Sequence, residues 1–364
     1  MSELRPKQGI SQIKPHMLSA GSDDYPPASI RLNSNESAFG PSPHARQAAI
    51  AACADVERYL ENPAGLLSPA LAQRHGLDAS QIAIGNGSDD LLARLARVYL
   101  DPGSEMIRSR NGYLKTPNYA YANNAVPIAA DDVDFTPSVD AILNAVTDNT
   151  RMVYLANPEN PAGSFLSGSE VRRLHQALPA QVLLVLDCAY EEYVDASDYE
   201  PAQILAGSAA NVVMTRTFSK IHGLAGARVG WMYGAPEIID MVTRVGLTFP
   251  LASSSVYAAL AALDDSPHQH RVYTHNRELR AWFSAEMNGL GLRVYPSQAN
   301  FILLGFSDSG RSAADCDDFL RRRGIAIRRF ASPAYANCIR VTIGHRADLQ
   351  IARDAIAQFL SPDR

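Results

Sequence analysis

The sequence predicts an α/β protein with a large domain, built on a mostly parallel sheet, and a smaller α+β domain. Strand and helix patterns alternate through the middle of the chain, which is typical of parallel strands joined by crossover helices. The 364 residues exceed the usual size of one hydrophobic core. We therefore place an N-terminal arm that joins the small domain at 1–40, the large domain at 41–265 and the small domain at 266–364.

Composition excludes several classes of protein. Apolar residues make up 46% and charged residues 20% of the chain, as in ordinary globular proteins. A net charge of −5 argues against nucleic-acid binding. The four cysteines are far apart, which favours free thiols over disulfides or a zinc site. No stretch approaches the length of a membrane span, so we expect a cytoplasmic protein.

The arm contains one segment that looks ordered, 30–36, which includes Asn35. A helix is predicted from Ser42, with alanines at helical spacing, and it should end near 58–60. Tyr59 lies at that end, where a tyrosine usually serves packing.

A glycine turn follows the predicted strand 81–84 and precedes a helix. It consists of Gly-Asn-Gly-Ser-Asp-Asp at 85–90 and includes Gly87, Ser88 and Asp89. Free backbone N–H groups at a helix start favour a phosphate group. The turn matches neither the dinucleotide fingerprint nor a P-loop, and most such turns bind no ligand.

Two further predicted strands end in polar segments. The strand 105–108 leads to Tyr113, which is either a ligand contact or a core residue. The strand 152–156 runs into Asn-Pro-Glu-Asn-Pro-Ala-Gly at 157–163. Asn160 precedes a proline, so its backbone is biased toward an extended conformation that could aim its amide at a ligand. As a bare motif the segment is a turn.

The apolar strand 182–186 places Asp187 at its end, and Tyr190 follows three residues later. A carboxylate at the tip of a buried strand requires a cation or a strong hydrogen-bond donor. It could also cap the helix that follows. Both interpretations stay open on this segment alone.

Lys220 follows the predicted strand 211–214. Ligands of open α/β folds bind where strands end. A lysine there can form a Schiff base, which is how proteins hold an aldehyde cofactor such as pyridoxal phosphate (PLP). Thr217, Ser219 and Arg228 surround it in sequence and suit an anion. The alternative is a solvated surface lysine.

The C-terminal segment reads as a separate α+β unit. Its predicted strands are 299–304, 325–328 and 338–343, and its predicted helices are about 313–323 and 348–360. Arg340 lies in mid-strand among apolar residues, where an unpaired guanidinium group is costly. Its partner is either an internal carboxylate or a substrate anion.

These segments, in this order, resemble the histidinol-phosphate aminotransferase family of fold-type I aminotransferases over nearly the whole chain. The similarity rests on the arm segment, the glycine turn, Asn157–160, Asp187 with Tyr190, the Lys220 segment and Ile-Arg-Val-Thr-Ile-Gly at 339–344. The chain departs from the family pattern at positions near the substrate side, namely His16, Glu159, Ala162 and Pro250.

The resemblance implies an aspartate-aminotransferase-like fold with a seven-stranded sheet, a homodimer with shared active sites, and PLP bound to Lys220. Asp187 would pair with the pyridine nitrogen, and Tyr190 and Asn160 would bond to the ring hydroxyl. Tyr113 would stack on the ring. The implied phosphate and cofactor contacts are Gly87, Ser88, Asp89, Thr217, Ser219, Arg228 and, from the other subunit, Tyr59. The implied substrate contacts are Arg340, Asn35, His16 and Arg328.

The resemblance further implies transamination between a small amino donor, foremost histidinol phosphate in histidine biosynthesis, and 2-oxoglutarate. An aromatic or other amino-acid aminotransferase is the alternative, because Arg340 could bind either a phosphate or a carboxylate. A PLP-dependent decarboxylase or lyase on the same scaffold would release carbon dioxide. A dinucleotide-dependent oxidoreductase lacks its glycine fingerprint here.

Overall fold

The computed structural model describes residues 4–13, 25–306 and 309–361. The strands, numbered in chain order, are β1 (Ile30–Arg31), β2 (Ile82–Gly85), β3 (Glu105–Ser109), β4 (Val126–Ala130), β5 (Asp132–Val133), β6 (Thr136–Pro137), β7 (Thr150–Ala156), β8 (Leu183–Asp187), β9 (Val212–Thr217), β10 (Gly230–Gly234), β11 (Arg293–Tyr295), β12 (Phe301–Gly305), β13 (Ile325–Ala326) and β14 (Cys338–Thr342). The helices are α1 (Pro43–Ala52), α2 (Pro63–His75), α3 (Ser88–Tyr99), α4 (Thr116–Tyr121), α5 (Val139–Asn144), α6 (Gly168–Ala177), α7 (Ala202–Ser208), α8 (Pro236–Arg244), α9 (Ser253–Asp264), α10 (Ser266–Gly289), α11 (Ala313–Arg321) and α12 (Arg346–Leu360).

The large sheet contains seven strands in the order β2-β10-β9-β8-β7-β3-β4. Neighbouring strands from β9 to β4 run parallel, whereas β10 runs antiparallel to both β2 and β9. Strands β8 and β9 are buried along their whole length, as expected for a parallel sheet covered on both faces. The prediction of a mostly parallel seven-stranded sheet is confirmed.

Alternation along each strand divides the large core into two layers. On β8, Leu184 and Leu186 belong to one apolar cluster, and Leu183 and Val185 belong to the other. The first layer includes residues of α1, α2, α6, α7 and α9, and the second includes residues of α3, α4 and α8. Because the carboxyl ends of the parallel strands lie at one edge between these layers, the residues that follow them are brought close together.

A second core is formed around the antiparallel sheet β11-β12-β14. Ile30 and Leu32 of the arm pack in it, and β1 pairs in parallel with β13. Beyond β13, Arg328 and Arg340 form an antiparallel bridge, with backbone N–H···O distances of 3.0 and 2.8 Å. The arm and the C-terminal segment therefore share a core. The domain boundaries given above stay a prediction.

Helix α1 is shorter than the sequence predicted. It ends at Ala52 and is followed by a 3-10 turn over Cys53–Asp55, whereas the prediction extended it to about 58–60. Val56, which lies at helical spacing from the alanines, is exposed. With no core to pack against, the apolar pattern does not sustain another turn.

Among the described residues, no helix is long and apolar enough to cross a bilayer.

Gly223 is a position where the backbone leaves no room for a side chain. Its φ of +68° is left-handed, and a Cβ there would lie 2.1 Å from the Gly40 carbonyl oxygen. We predict that Gly223→Ala lowers the free energy of unfolding by about 2 kcal/mol or more. The matched control is Gly289→Ala at the end of α10, where a Cβ meets no atom within 4 Å. Denaturant unfolding should show a change of about 0.5 kcal/mol or less for the control, and equal losses in both variants would contradict the account.

Candidate active site

Asp187 lies at the end of β8 and is 7% exposed. The sheet register places it between Ala156 of β7 and Thr215 of β9. Tyr154 donates a hydrogen bond to Asp187 Oδ2 at 2.6 Å, and the Thr215 hydroxyl donates to Oδ1 at 3.4 Å. Two hydroxyl groups from the adjacent strands therefore hold the carboxyl group at the carboxyl edge of the sheet.

Burial raises the pKa of Asp187 to about 6, although the hydrogen bonds from Tyr154, the Ala189 backbone and Thr215 oppose the shift. Among the described residues, no lysine, arginine or histidine forms an ion pair with it. A buried acid of this kind is stabilised by a cationic ligand group. The helix-capping alternative is not supported, because the segment after Asp187 forms only a short 3-10 turn, Glu191–Tyr193.

The Tyr190 hydroxyl lies between two side-chain amides. Asn35 Nδ2 donates to it at 2.9 Å and Asn160 Nδ2 at 3.5 Å. Asn35 is itself fixed by Thr342, whose hydroxyl accepts from the Asn35 backbone N–H at 2.9 Å and donates to Asn35 Oδ1 at 3.1 Å. These bonds join the arm, the turn after β7 and the segment after β8.

Lys220 lies three residues beyond the end of β9. Its Nζ is 5.5 Å from the centroid of the Tyr190 ring. No carboxylate forms an ion pair with it in the part of the chain that the structure describes. Tyr190 therefore lies near Lys220 in space, and in sequence it is three residues after Asp187.

An anion cradle is formed where α3 begins. Gly87 precedes the helix with φ of 78° and, because it has no side chain, it does not cap the N–H groups at the helix start. Arg228 Nη1 donates to the Ser219 hydroxyl at 3.2 Å, and Thr217 and Ser219 hydroxyls are 2.9 Å apart. A Cβ on Gly87 would lie 2.4 Å from Arg228 Nη2. The guanidinium group thus lies against the helix start, where both would attract a phosphate.

The Asp89 carboxylate contacts other side chains of the protein. It accepts from the Tyr119 hydroxyl at 2.6 Å and the Tyr113 hydroxyl at 3.4 Å, and Lys115 Nζ lies 3.1 Å away. Burial opposes its ionisation, but the Tyr119 bond and Lys115 lower its pKa below the ordinary value. Asp89 therefore orients Tyr113. Its predicted contact with a cofactor stays a prediction.

Arg340 of β14 is buried, with 6% exposure. Its Nη1 donates to Asn160 Oδ1 at 2.6 Å and its Nη2 to the Asn33 carbonyl at 2.9 Å, whereas its Nε has no hydrogen-bond partner among the residues that the structure describes. Burial lowers its pKa to about 10. Within the described ranges no aspartate or glutamate forms an ion pair with Arg340, and its predicted role in binding a substrate anion stays a prediction.

Arg328 lies beside Arg340 on the bridged backbone and is half-buried. Burial lowers its pKa, and its charge contributes to the lowered pKa of Arg340. Phe330 lies near both guanidinium groups, with ring-centroid distances of 5.9 and 5.4 Å. Arg328 and Arg340 therefore form a pair of neighbouring positive charges, which a single internal carboxylate would not neutralise.

Tyr59 is separated from the other predicted residues. It is 74% exposed and stacks on Phe249, with ring centroids 4.1 Å apart. Pro250, a departure from the family pattern, lies in the same loop, and its carbonyl accepts from Asn86 Nδ2 at 3.4 Å. His16 lies outside the described residues.

Two groups that contact this site were not predicted from the sequence. Tyr154 is a hydroxyl-bearing residue within the otherwise apolar, buried segment 152–156, and that contrast was the available signal. Glu159 was noted only as a departure, yet it is a buried carboxyl group that accepts hydrogen bonds from the Tyr113 and Asn160 backbones. Neither could be placed without the sheet register and the path of the turn.

The assembled groups define a chemistry. The edge of the sheet offers an anion cradle, the buried acid Asp187, and the amine of Lys220, which forms no ion pair with a carboxylate of the described residues. Near the second core, the guanidinium groups of Arg328 and Arg340 lie close to each other. Groups of these kinds can bind a phosphorylated molecule and an anionic substrate, and a lysine can bind an aldehyde.

Comparison with known proteins identifies related chains. Residues 27–356 match the family described as aminotransferase class I and II. Two histidinol-phosphate aminotransferases are similar over full length: that of Nitrobacter hamburgensis is 40% identical, covering 99% of this chain and 100% of the relative, and that of Rhodospirillum centenum is 41% identical, covering 99% of each. The crystal structure of histidinol-phosphate aminotransferase from Sinorhizobium meliloti in complex with pyridoxal-5'-phosphate superposes with a TM-score of 0.87 at 30% identity, covering 92% of this chain and 91% of that one.

The Tyr154–Asp187 bond gives a pH-dependent prediction. The folded pKa of Asp187 is raised, so the folded state holds a proton that the unfolded chain releases, and stability falls as pH rises from about 4 to about 6. Tyr154→Phe removes a donor to the ionised form and should extend this loss to higher pH. We expect denaturant unfolding to show that the variant loses more stability relative to the wild type at pH 8 than at pH 4. The loss at pH 8 should exceed the loss at pH 4 by about 1–3 kcal/mol.

The control is the same substitution in an Asp187→Asn background, where the effect of Tyr154→Phe should not depend on pH. A stability difference of equal size at pH 4 and pH 8 in the Asp187 protein would contradict the assignment.

Proposed function

The chain belongs to the aminotransferase class I and II family, and on this basis we propose that it is a PLP-dependent aminotransferase that transfers the amino group of histidinol phosphate to 2-oxoglutarate. The observation that carries the proposal is the grouping of Lys220, Asp187 and Tyr190 at one edge of the sheet. The two full-length relatives named above support the choice of donor.

The residues present fit PLP. The uncapped start of α3 with Ser219 and Arg228 suits its phosphate, and the absence of a Cβ at Gly87 leaves the helix start open to it. Asp187, without a cationic protein partner among the described residues, suits a protonated pyridine nitrogen. Tyr190 and Asn160 would hold the ring hydroxyl, and Tyr113 would stack on the ring.

Bound PLP supplies an aldehyde that condenses with amines and a ring that accepts an electron pair. Lys220 performs the proton transfer: its Nζ takes the proton from the α-carbon of the bound donor, acting as the general base.

Asp187 keeps its charge where the ring nitrogen would lie. The hydrogen bonds from Tyr154 and Thr215 stabilise the carboxylate form against the cost of burial. A cationic ring nitrogen would lower the pKa of this acid further, because opposite charges favour ionisation. The hydroxyl of Tyr190, oriented by Asn35, is available to donate to the ring oxygen.

Arg340 and Arg328 select the donor. A phosphate monoester carries a charge of about −1.5 to −2 at neutral pH, which suits two guanidinium groups better than a single carboxylate does. Arg340 Nε, which donates to no other described residue, adds a donor for such an anion. The adjacent rings of Phe301 and Phe330 limit water access to the guanidinium group.

We further propose a cytoplasmic homodimer in which Tyr59 acts in the partner's site. Tyr59 stacks on Phe249, and both side chains are exposed, as are the apolar side chains of Ile50, Val56 and Leu247. An exposed apolar surface of this kind is typical of an interaction site.

Donor selection is tested by a half-reaction screen. The purified holoenzyme should be yellow, and histidinol phosphate should discharge the visible band faster than histidinol, Phe, Tyr, His, Leu or Arg. Histidinol lacks only the phosphate, so we expect its rate per concentration to be about 30- to 150-fold lower. Arg340→Met should abolish this ratio, and Lys220→Ala should abolish the reaction with every donor.

Equal rates with histidinol and histidinol phosphate would contradict the assigned donor. Release of carbon dioxide without consumption of an oxo acid would identify a decarboxylase instead.

The shared site is tested by mixing two inactive variants. Tyr59→Ala and Lys220→Ala subunits should each lack activity as homodimers. After subunit exchange, heterodimers contain one site with both native residues, so about one quarter of the wild-type activity should return in a statistical mixture. Activity that does not return, although mass spectrometry of the intact assembly shows heterodimers, would contradict the role of Tyr59.

A further inference from the structure

Glu159 is a buried carboxyl group directly behind two residues of the proposed site. It is 2% exposed. Its Oε1 accepts the backbone N–H of Tyr113 at 3.0 Å and that of Asn160 at 3.0 Å. A Cβ on Gly112 would lie 2.6 Å from Oε2, so the carboxyl group lies close against the chain that leads to Tyr113. One side chain thus joins the turn after β3 to the turn after β7.

We propose that Glu159 is a positioning residue that fixes Tyr113 and Asn160 relative to each other, and that it acts as a neutral acid with a carbonyl-type acceptor. The inference rests on the proposed function, because Tyr113 and Asn160 are the residues assigned to the ring face and the ring hydroxyl of PLP. The backbone N–H groups of Tyr113 and Asn160 share one acceptor, Glu159 Oε1, which anchors the backbone that carries each side chain. Loosening that anchor would misplace both contacts at once.

The surroundings of Glu159 favour the neutral form. No arginine, lysine or histidine forms an ion pair with it among the described residues. Burial raises its pKa to about 8, and the negative charges of Asp187 and Asp132 add to the shift while the two backbone N–H groups oppose it. The titratable and charged groups that face it are Arg108 of β3, Asp132 of β5, Tyr154 of β7, Asp187 of β8 and Tyr335.

The segment that carries Tyr113 is held from other directions as well, which defines what Glu159 adds. Asp132 accepts from the Asn111 backbone at 2.8 Å and from its side-chain amide at 2.9 Å. Tyr335 donates to the Asn111 carbonyl. These bonds fix residue 111, whereas Glu159 alone among these groups reaches the Tyr113 N–H and ties it to Asn160.

Two substitutions distinguish the effect of the hydrogen-bond acceptor at residue 159 from the effect of its ionisable proton. Glu159→Gln keeps a carbonyl-type acceptor without an ionisable proton, and Glu159→Ala removes the acceptor. In the apo protein, hydrogen exchange of the Tyr113 and Asn160 amides should become about tenfold faster in Glu159→Ala and stay within about threefold of the wild type in Glu159→Gln. The dissociation constant for PLP at pH 7 should follow the same order, with a loss of about tenfold for alanine only.

The control is Asp317→Asn, which removes another buried carboxyl group with a raised pKa, in α11 of the small core, where it pairs with Arg321. It should leave both amides and the affinity for PLP unchanged. Unaltered exchange and affinity in Glu159→Ala would overturn the positioning role, and a Glu159→Gln protein as defective as Glu159→Ala would overturn the neutral form. A similar loss of PLP affinity in Asp317→Asn would reduce the effect to general destabilisation. A wild-type protein that does not bind PLP would instead refute the proposed function.

Discussion

The Asp187 carboxyl group is the constraint on which the rest of the site depends. It is buried at the end of β8, and its pKa is raised because burial disfavours its charge. Donors from both neighbouring strands, Tyr154 and Thr215, are directed at it by the sheet register. This arrangement costs stability unless a cation completes it. The protonated ring nitrogen of PLP is the cation that the proposed function supplies.

The two cores meet in the same network. Asn160 donates to the Tyr190 hydroxyl and accepts from Arg340, so it contacts the group assigned to the cofactor and the group assigned to the substrate. Asn35, from the arm, connects Tyr190 to Thr342 of β14. The order of strands puts Asp187 and Lys220 at one edge, and these amides bring Arg340 to it. The side chain assigned to the substrate anion, Arg340, is therefore coupled to the side chain assigned to the ring hydroxyl, Tyr190, by polar contacts through Asn160.

Much of the fold followed from pattern alone. The apolar runs before Asp187 and before Lys220 are central strands because only a strand covered on both faces is apolar at every position. The resemblance predicted the seven-stranded sheet. It also predicted Lys220, Asp187, Tyr190 and Arg340 as site residues. What could not be predicted depends on register and on long-range contacts. Tyr154 faces Asp187 only in the observed pairing, Asp89 turns to Tyr119 and Lys115, and the end of α1 is set by the lack of a core near Val56.

The central claim is that Lys220, whose Nζ lies 5.5 Å from the centroid of the Tyr190 ring, is the lysine that binds the aldehyde of PLP. It is tested most directly by loading the protein with PLP, reducing it with borohydride and mapping the modified residue by peptide mass spectrometry. The account predicts a single pyridoxyl group on Lys220, formed in the wild type and absent from Lys220→Ala. Modification of Lys115 or another lysine in place of Lys220 would contradict it.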